Sequence, residues 1–202
     1  MKLLFSPFSP YVRKCLVAGY EVGLNSHIQL LPSAANPITR DQNIIPNNPL
    51  GKVPTFFTDD GQVLYDSRVI CEYLNDLGKG KLFPAGSARW SALTLQSLAD
   101  GMLDAALLTR YEGAMRPEQY QWADWAKAQF NKIETSLDHL NDNLAVLDSG
   151  VHIGTIAVGC TLWYLDLRFA DRNWRDRAPK VADWYARFSQ RDSMRMTWAL
   201  AA

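Results

Sequence analysis

Every strand-like pattern in this 202-residue chain falls before position 66, and every apolar pattern beyond position 86 has helical spacing. Such a chain builds a mixed β/α layer first and an all-α layer after it. KLLF at 2–5 is a short apolar run suited to a buried strand. After Ser9-Pro10, the residues Val12, Cys15, Leu16, Gly19 and Val22 recur on one helical face, and Gly23 ends the run. Residues 27–31, including His27, alternate as a second strand. The polar loop 32–48 has a short helix expected at 38–45. Residues 53–57 (VPTFF) read as a third strand, DDG at 59–61 as a hairpin turn, and 62–65 as the returning strand. Asp66-Ser67 then opens a helix with Val69, Ile70, Tyr73, Leu74 and Leu77 on one face.

GKGKLFPAG at 78–86 sets Gly and Pro around an apolar plug, Leu82-Phe83, and reads as a linker. Helices are expected at 87–115, from Pro117 to about 144, at 155–169, at 179–188 and at 193–199. The expected division is therefore 1–77, a linker at 78–86, and an all-helical part at 87–202.

Charge and cysteine usage remove several classes of function. Twenty-one basic residues balance 21 acidic ones, so no field favours nucleic acid or an anionic membrane. A 48% hydrophobic content supports a packed core rather than disorder. Cys15, Cys71 and Cys160 are far apart and lack metal-ligand spacing, which fits free thiols in a reducing cytoplasm and no metal. The start lacks the order of charges and apolar residues of a signal peptide. The most apolar window, 153–167, is short for a membrane span and carries Thr155, Gly159 and Thr161, so it reads as a buried central helix.

Three short motifs carry chemistry. Ser9 followed by Pro10 is what a helix start looks like, with serine at the N-cap. The same serine would also set a hydroxyl among free helix N–H groups, where an anion can be held. As a nucleophile it would need a base, and none of His27, His139 or His152 has a persuasive motif. NPLGKVPTF at 48–56 is a loop entering a strand, with a Val53-Pro54 bond of unassigned isomer. Asp66-Ser67 is again a cap. As a site it would hold a carboxylate through Ser67 and an ammonium through Asp66, the two ends of an amino acid.

Taken in order, the three motifs fit a β-α-β-(α)-β-β-α unit, and here the chain resembles the glutathione transferase superfamily along essentially its whole length. SPYVRK is similar to the S-P-F/Y-x-x-R motif of serine-type members, close to the plant tau class and small bacterial relatives. NPLGKVPTF resembles the N-P-x-x-x-V/I-P loop, whose proline is cis. YDSRVICEYL resembles the E/D-S-x-x-I-x-x-Y-L segment. The resemblance implies a thioredoxin-like first domain, an all-α second domain and a cytoplasmic homodimer of the detoxifying kind.

It also implies roles. Ser9 would donate a hydrogen bond to the glutathione sulfur, Val53 would pair with the cysteinyl part beside cis Pro54, and Asp66 and Ser67 would hold the γ-glutamyl head. Lys52 and Arg13 would add positive field. A small apolar electrophile would sit between the domains against Tyr11, Arg110 and Tyr111. A free thiol ionises near about 8.5. Lowering that by about two units takes roughly 2.7 kcal/mol of preference for the thiolate, to which a hydroxyl and a helix N-terminus both contribute.

Ser6 competes with Ser9, while Cys15 reads as core. The central helix is expected to begin with Thr155 as its cap, the usual acid at N3 being replaced by Val158. Peroxidase or isomerase chemistry, a non-catalytic module for protein interaction or stress regulation, and an apolar-ligand carrier built on seven tryptophans, mostly core, are the alternatives.

Overall fold

The computed structural model describes residues 1–198. They form two compact units, Met1–Pro84 with the described residues from Arg191 on, and Ala85–Gln190. The sequence boundaries follow changes of texture, whereas contacts join the last helix to the first unit. Position 199, at the end of the expected final helix, lies outside the described residues.

The first unit carries β1 (Lys2–Phe5), α1 (Pro10–Glu21), β2 (Gln29–Pro32), β3 (Thr55–Phe57), β4 (Val63–Leu64) and α2 (Ser67–Leu77). The sheet order is β2-β1-β3-β4. β1 pairs in parallel with β2, and antiparallel with β3 through Leu4 and Thr55; β3 pairs antiparallel with β4 through Phe56 and Leu64. This register has one consequence for function. The segments leaving β1, entering β3 and leaving β4 all meet at the same end of the sheet.

α1 and α2 pack on each other through buried apolar faces that include Val12, Cys15, Leu16, Ile70, Cys71 and Leu74. Cys15 is core, its sulfur 3.8 Å from the Ser67 carbonyl oxygen and 3.9 Å from the Cys71 sulfur. α8 (Asp192–Trp198) lies on α1. Arg191 grips Glu21 with two bonds of 2.9 Å, and Ser193 donates to the same carboxylate. Burial alone would raise the Glu21 pKa; these hydrogen bonds outweigh it and hold the pKa low.

Two expectations in this unit need correction. His27 stands in a 3-10 turn, Asn25–His27, ahead of β2. No helix forms at 38–45, because side chains take the N–H groups a helix would need. Asn36 Oδ1 accepts from Ile38 and Thr39, while Asp41 accepts from Asn43 and Ala34.

The second unit holds α3 (Ser87–Ala114), α4 (Ala123–Asp142), α5 (Ile153–Arg168), α6 (Trp174–Arg177) and α7 (Pro179–Phe188). Pro117 leads into a 3-10 turn, Glu118–Tyr120, and α4 starts only at Ala123. α6 carries four residues, too short for periodicity to reveal it. α5 is buried all round from Ile153 to Leu165. It runs parallel to α3: Gly154 meets the Ala92 carbonyl, and Thr161 Oγ1 donates to the Ala99 carbonyl at 3.2 Å. Three tryptophans, Trp163, Trp174 and Trp184, are core, whereas Trp90, Trp122, Trp125 and Trp198 are exposed, so the expectation that most are buried is corrected.

The cap of α5 is one turn earlier than expected. His152, not Thr155, is the N-cap, and Thr155 is the N3 residue of a capping box. Thr155 Oγ1 accepts from the His152 N–H at 3.0 Å, and His152 Nδ1 accepts from the Gly154 N–H at 3.1 Å. The accepting Nδ1 requires the proton on Nε2, which then donates to Ser149 Oγ at 2.8 Å. Burial lowers the His152 pKa below its usual 6.5. The unfolded chain therefore takes up a proton that the fold resists, and stability falls as pH drops through about 6.5. Urea midpoints at about pH 7.5 and 5.5 should converge in His152→Asn, which keeps a cap acceptor but does not titrate. An unchanged difference between the two midpoints would rule out this histidine as the source.

Candidate functional site

Ser9 is a cap, and that does not exhaust it. Its Oγ accepts the Val12 N–H at 3.3 Å, and Pro10 fills N1. The serine's own proton has no acceptor among the described residues. A hydroxyl in this state still donates one bond, beside the N-terminus of a 12-residue helix. Ser6 lies one turn earlier, its carbonyl accepting the Ser9 N–H at 3.1 Å.

Across the same end of the sheet, the loop before β3 turns at Gly51, with φ of 64°, and reaches Pro54 through a cis bond. Val53, half-buried, leaves its backbone N–H and carbonyl without partners among the described residues. Asn48 holds this shape. It is 1% exposed, its amide donates to the Lys52 carbonyl at 3.2 Å and Thr55 Oγ1 at 2.9 Å, and its carbonyl oxygen accepts from Leu50 N–H at 3.1 Å. Sequence reasoning missed Asn48 and Thr55 as supports; an asparagine opening a Gly-bearing loop was the available signal. The Lys52 ammonium is exposed, with no ion pair among the described residues.

The third segment begins α2. Asp66, cis to Tyr65, caps the helix by accepting the Arg68 N–H at 2.9 Å, and its carboxylate is exposed. Ser67 is 2% exposed, yet neither its hydroxyl nor its N–H has a partner among the described residues. An unpartnered N–H and O–H of this kind form a seat for a carboxylate.

Arg13 departs from its expected place near a ligand. It is 3% exposed, donates to the Met194 carbonyl at 2.7 Å and Thr197 Oγ1 at 3.3 Å, and lies 5.3 Å from the Trp198 ring centroid. Its heptad-like position on α1 faces α8, which the sequence could not foresee. Tyr11 is half-buried, with the Lys14 ammonium 5.9 Å from its ring centroid. Phe56 is fully buried against Tyr73, whereas Trp90 is 68% exposed.

Arg110 and Tyr111 lie half-buried on α3. Burial raises the Tyr111 pKa above 10, with Arg110 and Arg168 pulling against it. A concavity of about 720 Å³ opens at the opposite end of the sheet near Lys2, His27 and Asp59; none of the expected site residues lines it. Among the described residues no His, Cys, Asp and Glu side chains converge on a metal site, and no helix is long and apolar enough to cross a membrane.

Residues 8–77 match the glutathione S-transferase N-terminal domain and residues 123–187 the glutathione S-transferase C-terminal domain. The chain is 33% identical to the uncharacterized GST-like protein YibF of Escherichia coli, over 98% of each. A crystal structure of a glutathione transferase family member from Pseudomonas fluorescens Pf-5, with bound glutathione, superposes with a TM-score of 0.94 at 44% identity, covering 97% of each chain. Elongation factor 1-gamma of Danio rerio is 30% identical over 72% of this chain, which spans 33% of that factor.

Proposed function

The chain belongs to the glutathione S-transferase family, and from that premise we propose that it binds glutathione at the shared end of its sheet and conjugates the tripeptide to an apolar electrophile. The observation that carries this reading is the set of unspent donors. The Ser9 hydroxyl, the Val53 N–H, and the Ser67 hydroxyl and N–H all belong to segments that the strand register brings to one end of the sheet.

Each donor suits a part of the tripeptide. Ser67 would take the γ-glutamyl carboxylate and Asp66 its ammonium. Val53 would pair with the cysteinyl backbone, Lys52 would add field, and Ser9 would hold the sulfur as thiolate. Ser9 does not attack; it stabilises the attacking anion. A hydroxyl cannot form a mixed disulfide, which speaks against thiol-disulfide exchange. We take the active form to be a cytoplasmic homodimer acting in detoxification.

Calorimetric titration with glutathione tests the site. Wild type should bind saturably, Ser67→Ala about tenfold more weakly, and Asp66→Asn should lose selectivity for the γ-glutamyl ammonium over its des-amino analogue. Absence of saturable binding would remove the reading altogether.

The likeness to elongation factor 1-gamma favours one rival, a non-catalytic module that keeps the fold for protein interaction. Binding without turnover across a panel of electrophiles and peroxides would decide for the module. Turnover of peroxides alone would make the chain a peroxidase.

A further inference from the structure

Cys15 and Cys71 bring two unbridged thiols together where α1 packs on α2, within the first unit. Their sulfurs are 3.9 Å apart, although 56 positions separate the residues in the chain. The helices stay close one turn further on, where a Cβ built at Gly19 would stand 3.8 Å from Leu74 Cδ1. The cysteines therefore face each other along a seam of two helices. A disulfide holds its sulfurs about 2.0 Å apart, so this pair has about 1.9 Å to close. Side-chain rotation with a small shift of the helices covers that distance.

The same thiols are tied to the start of α2. Cys71 donates its S–H to the Cys15 sulfur, and Cys15 donates to the Ser67 carbonyl at 3.8 Å. Ser67 is the first residue of α2, and Cys71 follows it by one turn. A movement that draws Cys71 toward α1 therefore shifts the turn that presents the Ser67 N–H and hydroxyl. Closing the pair would also consume the S–H that the Ser67 carbonyl accepts.

We infer that Cys15 and Cys71 are an oxidisable dithiol, closed to a disulfide by hydrogen peroxide, and that closure disturbs the carboxylate seat at Ser67. The redox chemistry stands on the two sulfurs alone, whereas its effect on the ligand rests on the glutathione-binding reading. One thiol gives up its proton, and its sulfur bonds to a peroxide oxygen. The O–O bond breaks, and hydroxide leaves with that electron pair and takes the proton to become water. The other sulfur then attacks the sulfenic sulfur. The S–S bond forms, the S–O bond breaks, and a second water leaves with the remaining thiol proton. Each sulfur loses one electron, and the two peroxide oxygens gain them. Both thiols are buried, so a small oxidant reaches them through local openings of α1 against α2, while glutathione disulfide is too large.

The test treats wild-type protein with excess hydrogen peroxide and counts thiols after unfolding in an alkylating reagent. The three cysteines should yield one remaining thiol, Cys160, and mass spectrometry should find the Cys15 and Cys71 peptides joined. Dithiothreitol should restore all three. Calorimetry then uses S-methylglutathione, which has no thiol and cannot reduce the pair. It should bind about three- to tenfold more weakly to the oxidised protein and recover after reduction. Peroxide-treated Cys71→Ala should keep its affinity, which sets closure apart from methionine oxidation; reversal by dithiothreitol makes the same distinction in wild type. Three thiols left after peroxide, or a bridge to Cys160 instead, would overturn the dithiol. A Cys15–Cys71 bridge with unchanged S-methylglutathione binding would overturn its coupling to Ser67. A bridge in a protein that binds S-methylglutathione in neither state would sustain the dithiol and defeat the glutathione reading.

Discussion

Replacing Ser9 by alanine should raise the pKa of the bound glutathione thiol by about one to two units and lower kcat/KM near neutral pH about 10- to 100-fold. A hydrogen bond from a hydroxyl to a thiolate is charge-assisted, and losing it disfavours only the ionised form. The N-terminus of α1 stays in place, so part of the stabilisation survives. The direction with pH follows. The variant's deficit is full below the lower of the two thiol pKa values and closes above the higher one, by about pH 10, where the thiol ionises unaided.

Alanine also removes the cap on Val12, costing about 1 kcal/mol of stability. Ser9→Thr keeps both the cap and the donor, and should restore most of the rate. Thiolate absorbance of the bound ligand reads the pKa directly, apart from any loss of fold. If absorbance and turnover match wild type in Ser9→Ala, the sulfur is held by another group, with Ser6 the next to test.

How far the sequence revealed this arrangement depends on the range of the interaction concerned. The order of strands and helices was legible because it rests on local periodicity and punctuation: β1, α1, the 59–61 turn, α2 and α7 lie where the patterns put them. The Val53-Pro54 bond is cis, in keeping with the resemblance. Illegible features are those decided by a distant partner. Nothing near Arg13 announces that α8, some 180 residues later, will take its guanidinium. Nothing in the polar loop says that Asp41 and Asn36 will spend the helix donors on their own side chains.

The cap of α5 is an intermediate case. Thr155 was rightly read as part of a helix start, but histidine is a rare cap, and only its burial and the Ser149 contact fix the tautomer that lets it accept. The candidate site was legible as three motifs. Their convergence was not, since it depends on the register Leu4 to Thr55 and Phe56 to Leu64.

The largest stability loss is expected from a single methyl group. Gly154→Ala should destabilise the helical unit by about 3 kcal/mol, lowering its melting midpoint by about 10 °C. A Cβ built at position 154 would stand 2.6 Å from the Ala92 carbonyl oxygen and 2.9 Å from the Leu95 Cβ. The carbonyl belongs to the backbone of α3, so relief requires the helices to separate. Separation would also stretch the Thr161 bond to the Ala99 carbonyl. Alanine is otherwise the better helix former by up to about 1 kcal/mol, so propensity and contact oppose each other here, and contact wins.

Gly113→Ala supplies the counter-case on the same bundle. It is exposed near the end of α3 with open space where its Cβ would go, and the change should stabilise by about 0.5–1 kcal/mol. Thermal and urea unfolding of the two variants should therefore move in opposite directions. If Gly154→Ala unfolds with the wild-type midpoint, α3 and α5 do not approach as closely as the Ala92 contact requires.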